Sequence, residues 1–262
     1  MSVFTIYPAI DLRTGRVVRL KEGDPTRQTT YSDDPVEIAK RWLSMGARWL
    51  HVVNLDGAFD ESEEINHIAL HSILDVAKNF DARVQFGGGI RSLQMIERAL
   101  DLGVGRVVLG TIAIEQPDIV ADALKKFGPE KIAVGIDARD GLVHVRGWKD
   151  NSGISATDLA LQMQTFGLRT VIFTDVSRDG LGSGLNIAAT RELADASGLD
   201  VIASGGVHAL EDVMAARNAN LAGVIIGRAL YEGTIDLKEA LRILQHKGHE
   251  VHRPHWRRCS EG

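Results

Sequence analysis

The chain has 262 residues, 44% of them hydrophobic, a formal net charge of −5 and a single cysteine, Cys259. That length suits one α/β barrel, and the negative balance gives no general attraction to nucleic acid or to an anionic membrane. One cysteine excludes an intrachain disulfide and fits a reducing cytoplasm; no apolar run nears the ~20 residues of a bilayer span, and the N-terminus lacks a signal-peptide pattern.

In chain order, runs rich in Val, Ile and Leu at 4–11, 49–55, 82–86, 106–110, 131–137, 169–175, 200–204 and 222–227 read as buried parallel strands. Between and after them, 35–46, 62–79, 92–103, 116–127, 155–166, 186–197, 209–219 and 236–245 space their apolar residues by three to four, as helices do. Ser92 and Pro117 are helix-start signals. Eight strand–helix units predict a (β/α)8 TIM barrel over residues 1–245, with a doubly wound open sheet as the structural alternative. The polar stretch 23–34 reads as a first loop able to act as a lid. Trp42 and Trp49 read as core. Residues 246–262, with His246, His249, His252, His255 and Cys259, read as a flexible tail whose spacings match no zinc pattern.

The chain also repeats itself. Ile10-Asp11 with Arg13 and Gly15 is answered by Ile136-Asp137 with Arg139 and Gly141. Gly88-Gly89-Ile90 is answered by Gly205-Gly206-Val207, and Val107–Thr111 by Val224–Arg228. Residues 1–125 and 126–245 therefore read as two half-barrels, neither a domain of its own.

In such a barrel the site lies at the C-terminal strand ends. Asp11 and Asp137 stand there, one per half, where a lone Asp would more simply cap a turn. Glycines in the following turns either allow close packing or bare backbone N–H groups for a phosphate. Because each Gly-Gly pair is followed one unit later by Gly110-Thr111 or Gly227-Arg228, the pattern points to two phosphate sites and a ligand phosphorylated at both ends.

Several stretches resemble one known family. These are Pro8-Ala9-Ile10-Asp11-Leu12 with Gly15–Leu20, Leu50–Ala58, Gly87–Ser92 and Thr174–Gly180. They are similar to the phosphoribosylformimino-5-aminoimidazole carboxamide ribotide isomerases of histidine biosynthesis, the HisA family, over about residues 3–244. The resemblance implies a twofold-repeated (β/α)8 barrel that performs an Amadori rearrangement, aminoaldose to aminoketose, on a bis-phosphate ribotide. It implies Asp11 as general base, and Asp137 or Asp179 as the acid that opens the ribose, with Asp137 the usual assignment. It implies one phosphate held by Gly88, Gly89, Gly110 and Thr111 and the other by Gly205, Gly206, Gly227 and Arg228. Arg19, His51, Arg91 and Thr174 match polar substrate contacts. Trp148 either stacks on the imidazole carboxamide or packs a hairpin at 138–148. No metal or redox cofactor is expected, nor a nucleic-acid or membrane partner, and a cytoplasmic monomer is. The related cyclase that makes imidazole glycerol phosphate, an isomerase that also accepts phosphoribosyl anthranilate, and a non-enzymatic phosphosugar-binding barrel are the alternatives.

Overall fold

The computed structural model describes residues 3–245; the tail expected at 246–262 lies outside them. Among the described residues no helix is long and apolar enough to cross a membrane. Eight strands run parallel: β1 Thr5–Arg13, β2 Trp49–Asn54, β3 Arg83–Gly87, β4 Arg106–Leu109, β5 Ile132–Arg139, β6 Thr170–Asp175, β7 Asp200–Ser204 and β8 Gly223–Ile226. Each pairs with the next, and Thr5 of β1 stands opposite Gly223 of β8. The sheet is closed, so the open-sheet alternative fails and the (β/α)8 barrel holds.

Strand alternation sorts the residues into two layers. Ile6, Ile10 and Leu12 of β1 join the large core under the helices, as do Leu50 and Val52, Val84 and Phe86, and Val134 and Ile136. The intervening residues face the bore. Tyr7, Ala9, Val108, Ala133, Ile172, Ile202 and Ile225 fill it as a separate apolar cluster. The same period of two carries Asp11 and Asp137 to the top of the bore.

The helices begin where the sequence marks them. Asp34 accepts from the Val36 and Glu37 N–H groups at 2.8 and 3.1 Å, ahead of the helix Pro35–Ser44. Ser92 caps Leu93–Asp101 through the Met95 N–H, and Pro117 opens Pro117–Phe127.

One feature departs from expectation. The polar stretch 23–34 is not a loop: Asp24–Ser32 is a strand, paired antiparallel with Arg16–Lys21, which pairs with β1. Its central residues are exposed on both faces, so it lacks the alternation that marks a half-buried strand. The second half repeats this three-stranded tongue, with Leu142–Val145 on β5 and Asp150–Ser155 beyond it. The duplication seen at Asp11 and Asp137 thus extends to the hairpins that follow them.

Asn66 ties the helix Glu64–Asn79 to the first tongue. Its amide donates to the Leu12 carbonyl at 3.0 Å and to Asn54 Oδ1 at 2.8 Å, and accepts from the Gly15 N–H at 2.8 Å. Asn66→Leu keeps the volume but strands these partners in a buried setting. It should lower the unfolding free energy by about 2–4 kcal/mol, read as a shifted urea midpoint with unchanged slope.

Candidate active site

A cavity of about 640 Å3 opens at the C-terminal mouth of the barrel. Asp11, Asp137, Asp179, Arg19, His51, Arg91, Trp148 and Thr174 all line it, as do Gly88, Gly89, Gly110 and Thr111. The cavity therefore gathers every expected catalytic and substrate-contact residue and one of the two expected phosphate groups.

Asp11 is buried and ion-paired with the Arg19 guanidinium from the adjoining tongue strand. Burial works against the Arg19 charge, but Asp11 and Asp179 outweigh it and hold the guanidinium charged. Asp137 stands opposite Thr174 in the β5–β6 register. Burial raises its pKa, while donors from Trp148 and Thr174 partly oppose the rise. Asp179 lies in the turn after β6. Burial pushes its carboxyl up to about 6; Arg19 opposes that rise, and the nearby Asp11 and Asp137 carboxylates add to it. The three carboxyls thus differ in surroundings: Asp11 faces a cation, Asp137 faces hydrogen-bond donors, and Asp179 is crowded by like charge.

Trp148 sits in the turn between the last two strands of the second tongue. Its Nε1 donates to Asp137 Oδ2 at 2.8 Å, and its ring lies where a Cβ on Gly23 would go. It is a wall of the cavity and joins the two tongues across the mouth. Arg146, Gly147 and Trp148 are all left-handed, with φ of 54°, 65° and 69°. Two non-glycine residues in that region cost roughly 1–2 kcal/mol each. The Trp148–Asp137 bond helps to hold the turn, as does a 3.1 Å bond from the Arg146 N–H to Thr111 Oγ1.

The glycines divide. The Gly88 and Gly89 backbones are left-handed and lie against Asn54 and Gly57, where a Cβ would clash. Gly205 and Gly206 do the same against Asp175 and Gly184 in the other half. Each pair has a packing reason of its own. Gly110 is different, since a Cβ there would meet nothing within 4 Å. Its counterpart Gly227 is covered by the Arg19 guanidinium. Arg228 donates to the Gly180 carbonyl at 2.7 Å and to Glu232 at 2.7 Å. Gly205, Gly206, Gly227 and Arg228 therefore do not line the cavity; the turn after β6 and Arg19 lie over them.

Arg91 pairs with Asp60 and donates to the Gly57 carbonyl at 2.9 Å. Sequence reasoning missed Phe59, His144 and Arg146, which also line the cavity. The Arg146-Gly147-Trp148 turn, with its glycine beside a large aromatic, was the available signal. Asp56 and Asp175, also at strand ends, serve the scaffold: Asp56 accepts from the Thr14 N–H at 2.9 Å, and Asp175 from Ser177 and Asn186.

The raised Asp179 pKa has a consequence for stability. Below about pH 4 its carboxyl is neutral in the folded and the unfolded chain alike, and the group costs nothing there. Between about pH 4 and 6 the unfolded chain ionises it while the buried carboxyl keeps its proton, so wild-type stability falls across that window and stays lower above it. Asp179→Asn should therefore be more stable than wild type above pH 6, by on the order of 2–3 kcal/mol, with the gap closing toward about pH 4. Urea unfolding across that range measures it.

Comparisons with known proteins agree with this geometry. A family model described as histidine biosynthesis protein matches residues 5–236. A protein of Syntrophomonas wolfei is 47% identical over 245 residues, covering 92% of this chain and 99% of its own length. One from Shouchella clausii is 48% identical over 238 residues, 91% of this chain and 97% of its own. One from Thermodesulfovibrio yellowstonii is 48% identical over 244 residues, 93% and 98%. All three are named 1-(5-phosphoribosyl)-5-((5-phosphoribosylamino)methylideneamino) imidazole-4-carboxamide isomerase. With its closed barrel and its three aspartates at one mouth, the chain belongs to the histidine biosynthesis protein family.

Proposed function

We propose that this protein is the histidine-biosynthesis isomerase that converts the aminoaldose of the formimino-linked bis-phosphate ribotide into an aminoketose. The observation that carries the reading is the meeting of Asp11, Asp137 and Asp179 in one cavity of about 640 Å3, under three different electrostatic conditions. The rearrangement needs an acid for the ribose ring oxygen and a base for the C2′ proton. Carboxyls pushed apart in pKa can divide those tasks. A site for binding alone has no use for such a set. The relatives described above carry the isomerase name, and no feature of the cavity favours the cyclase or the dual-substrate reading.

Asp11 is the base in this proposal. Between the two candidate acids, the surroundings favour Asp179. Burial, with Asp11 and Asp137 adding to it, pushes its carboxyl up to about 6, whereas the rise at Asp137 is opposed by donors from Trp148 and Thr174. One phosphate sits on Gly88, Gly89, Gly110 and Thr111, where Gly110 leaves its backbone open. The other sits on Gly205, Gly206, Gly227 and Arg228. To reach Gly227 it meets Arg19, the partner of Asp11. A phosphate there competes with Asp11 for one guanidinium and so loosens the base for its task. The ribotide is the small-molecule partner, and the enzyme works in the cytoplasm as a monomer.

Asp11→Asn should lower kcat by about 10²–10⁴-fold while keeping substrate affinity within an order of magnitude. Steady-state kinetics with binding by calorimetry reads both; near-normal kcat would make Asp11 structural. Ring opening concerns the acid alone, so an open-chain substrate analogue should restore turnover to Asp179→Asn but not to Asp11→Asn. Rescue of Asp137→Asn instead would move the acid to Asp137. For wild type, kcat/KM should fall as pH rises through the Asp179 pKa of about 6, because the acid must arrive protonated. A pH–rate profile that keeps this limb in Asp179→Asn would remove Asp179 from the role.

A further inference from the structure

Three strand residues form a row across the bore. His51 of β2 stands in register with Gln85 of β3, and Gln85 with Arg106 of β4. All three alternate with residues of the outer core, Leu50, Val52, Val84, Phe86 and Val107, so all three face inward. Gln85 is fully buried.

The row has a polarity. Arg106 Nη1 donates to Gln85 Oε1 at 3.3 Å, and Gln85 Nε2 lies 3.0 Å from His51 Nδ1. A guanidinium has donors and no acceptor, so the end of the Gln85 amide that faces it must be the oxygen. The amide nitrogen is then turned to His51, where it can only donate. His51 Nδ1 must accept with its lone pair, and the proton of the neutral ring stands on Nε2, the nitrogen left for the cavity that His51 lines. Arg106 is itself held at the far end, over the Trp49 ring at 4.9 Å from the ring centre.

We infer that Arg106 and Gln85 are positioning residues which fix His51 as the neutral Nε2–H tautomer, a hydrogen-bond donor to the substrate and never a competing base. Protonation is opposed as well: burial pushes the His51 pKa down to about 3, and the Arg19 charge adds to the drop. A neutral donor can hold a hydroxyl or a developing oxyanion without drawing the C2′ proton away from the carboxylates. That consequence rests on the isomerase reading; the tautomer does not.

The test uses the full chain labelled with 15N-histidine, without substrate, and long-range 1H–15N spectra between pH 6 and 8. His51 is assigned by loss of its signals in His51→Gln. Wild type should show His51 protonated at Nε2 only, with no titration. In Gln85→Glu the carboxylate can only accept, so the proton should appear on Nδ1, and kcat/KM should fall roughly tenfold, the worth of one hydrogen bond. In Arg106→Met the amide is free to turn over, and both tautomers should be populated. An Nδ1–H ring in wild type would overturn the inference, as would a folded Gln85→Glu that keeps the wild-type pattern. Should Gln85→Glu not fold, Arg106→Met decides alone, and an undisturbed Nε2–H ring there sinks the relay. If the tautomer is as stated but the protein does not turn over the ribotide, the isomerase reading falls and the relay stands.

Discussion

One guanidinium governs the mouth of this barrel. Arg19 is buried beside two carboxyls, Asp11 and Asp179, with a third, Asp137, close enough to act on Asp179. A single positive charge cannot balance three negative ones in a site largely removed from water. Two relief mechanisms are visible. Asp11 takes the guanidinium outright, and Asp179 keeps its proton to about pH 6. The acid–base difference that an aldose–ketose isomerisation requires is therefore a product of burial first and of unequal charged neighbours second. No residue needs an unusual chemistry of its own; each needs a particular neighbour.

The same guanidinium breaks the molecule's symmetry. The halves match in their strands, their tongues and their glycine pairs. Gly88 packs on the end of β2 as Gly205 packs on the end of β6. Yet Gly110 is open and Gly227 is covered by Arg19. The second tongue instead sends Trp148 to Asp137. A duplicated scaffold thus carries one half that grips its aspartate with a cation and one that grips it with an indole N–H. The first arrangement sets a full positive charge against its carboxylate and the second only a neutral donor.

Most of the barrel was legible in the chain. Continuous Val/Ile/Leu runs separated by helix-period stretches marked eight units, and the closed ring confirms them. The strand from Asp24 to Ser32 was illegible, because a sequence such as Thr-Arg-Gln-Thr-Thr has no apolar face to betray it. Its pairing depends on the neighbouring strand Arg16–Lys21. The aspartates were legible through repetition. Gln85 was not, because a lone glutamine in an apolar run gives no sign of its partners; these come from neighbouring strands 34 residues back and 21 ahead. Nor could the glycine pattern alone distinguish close packing from open backbone. That distinction needs to know what a Cβ would meet, which is a property of the folded neighbours.

Strand alternation connects these points. Because every second residue faces the bore, a barrel strand offers its upper end to the cavity, its middle to the layers below and its lower end to the far mouth. In β2 to β4 those lower layers are not filled with aliphatic side chains alone. Trp49, His51, Gln85 and Arg106 make a chain through a bore whose apolar filling is Tyr, Ala, Val and Ile. A buried polar chain is tolerable only if its hydrogen bonds are nearly complete, and Arg106 Nε is the member left without a partner. An apolar row of similar volume would avoid that cost. What the polar row provides, and an aliphatic one cannot, is a fixed direction for a proton: donor at Arg106, donor again at Gln85, donor at His51. His51 then takes no part in the proton exchange of the carboxyls above it, because its lone pair is already engaged by the Gln85 amide.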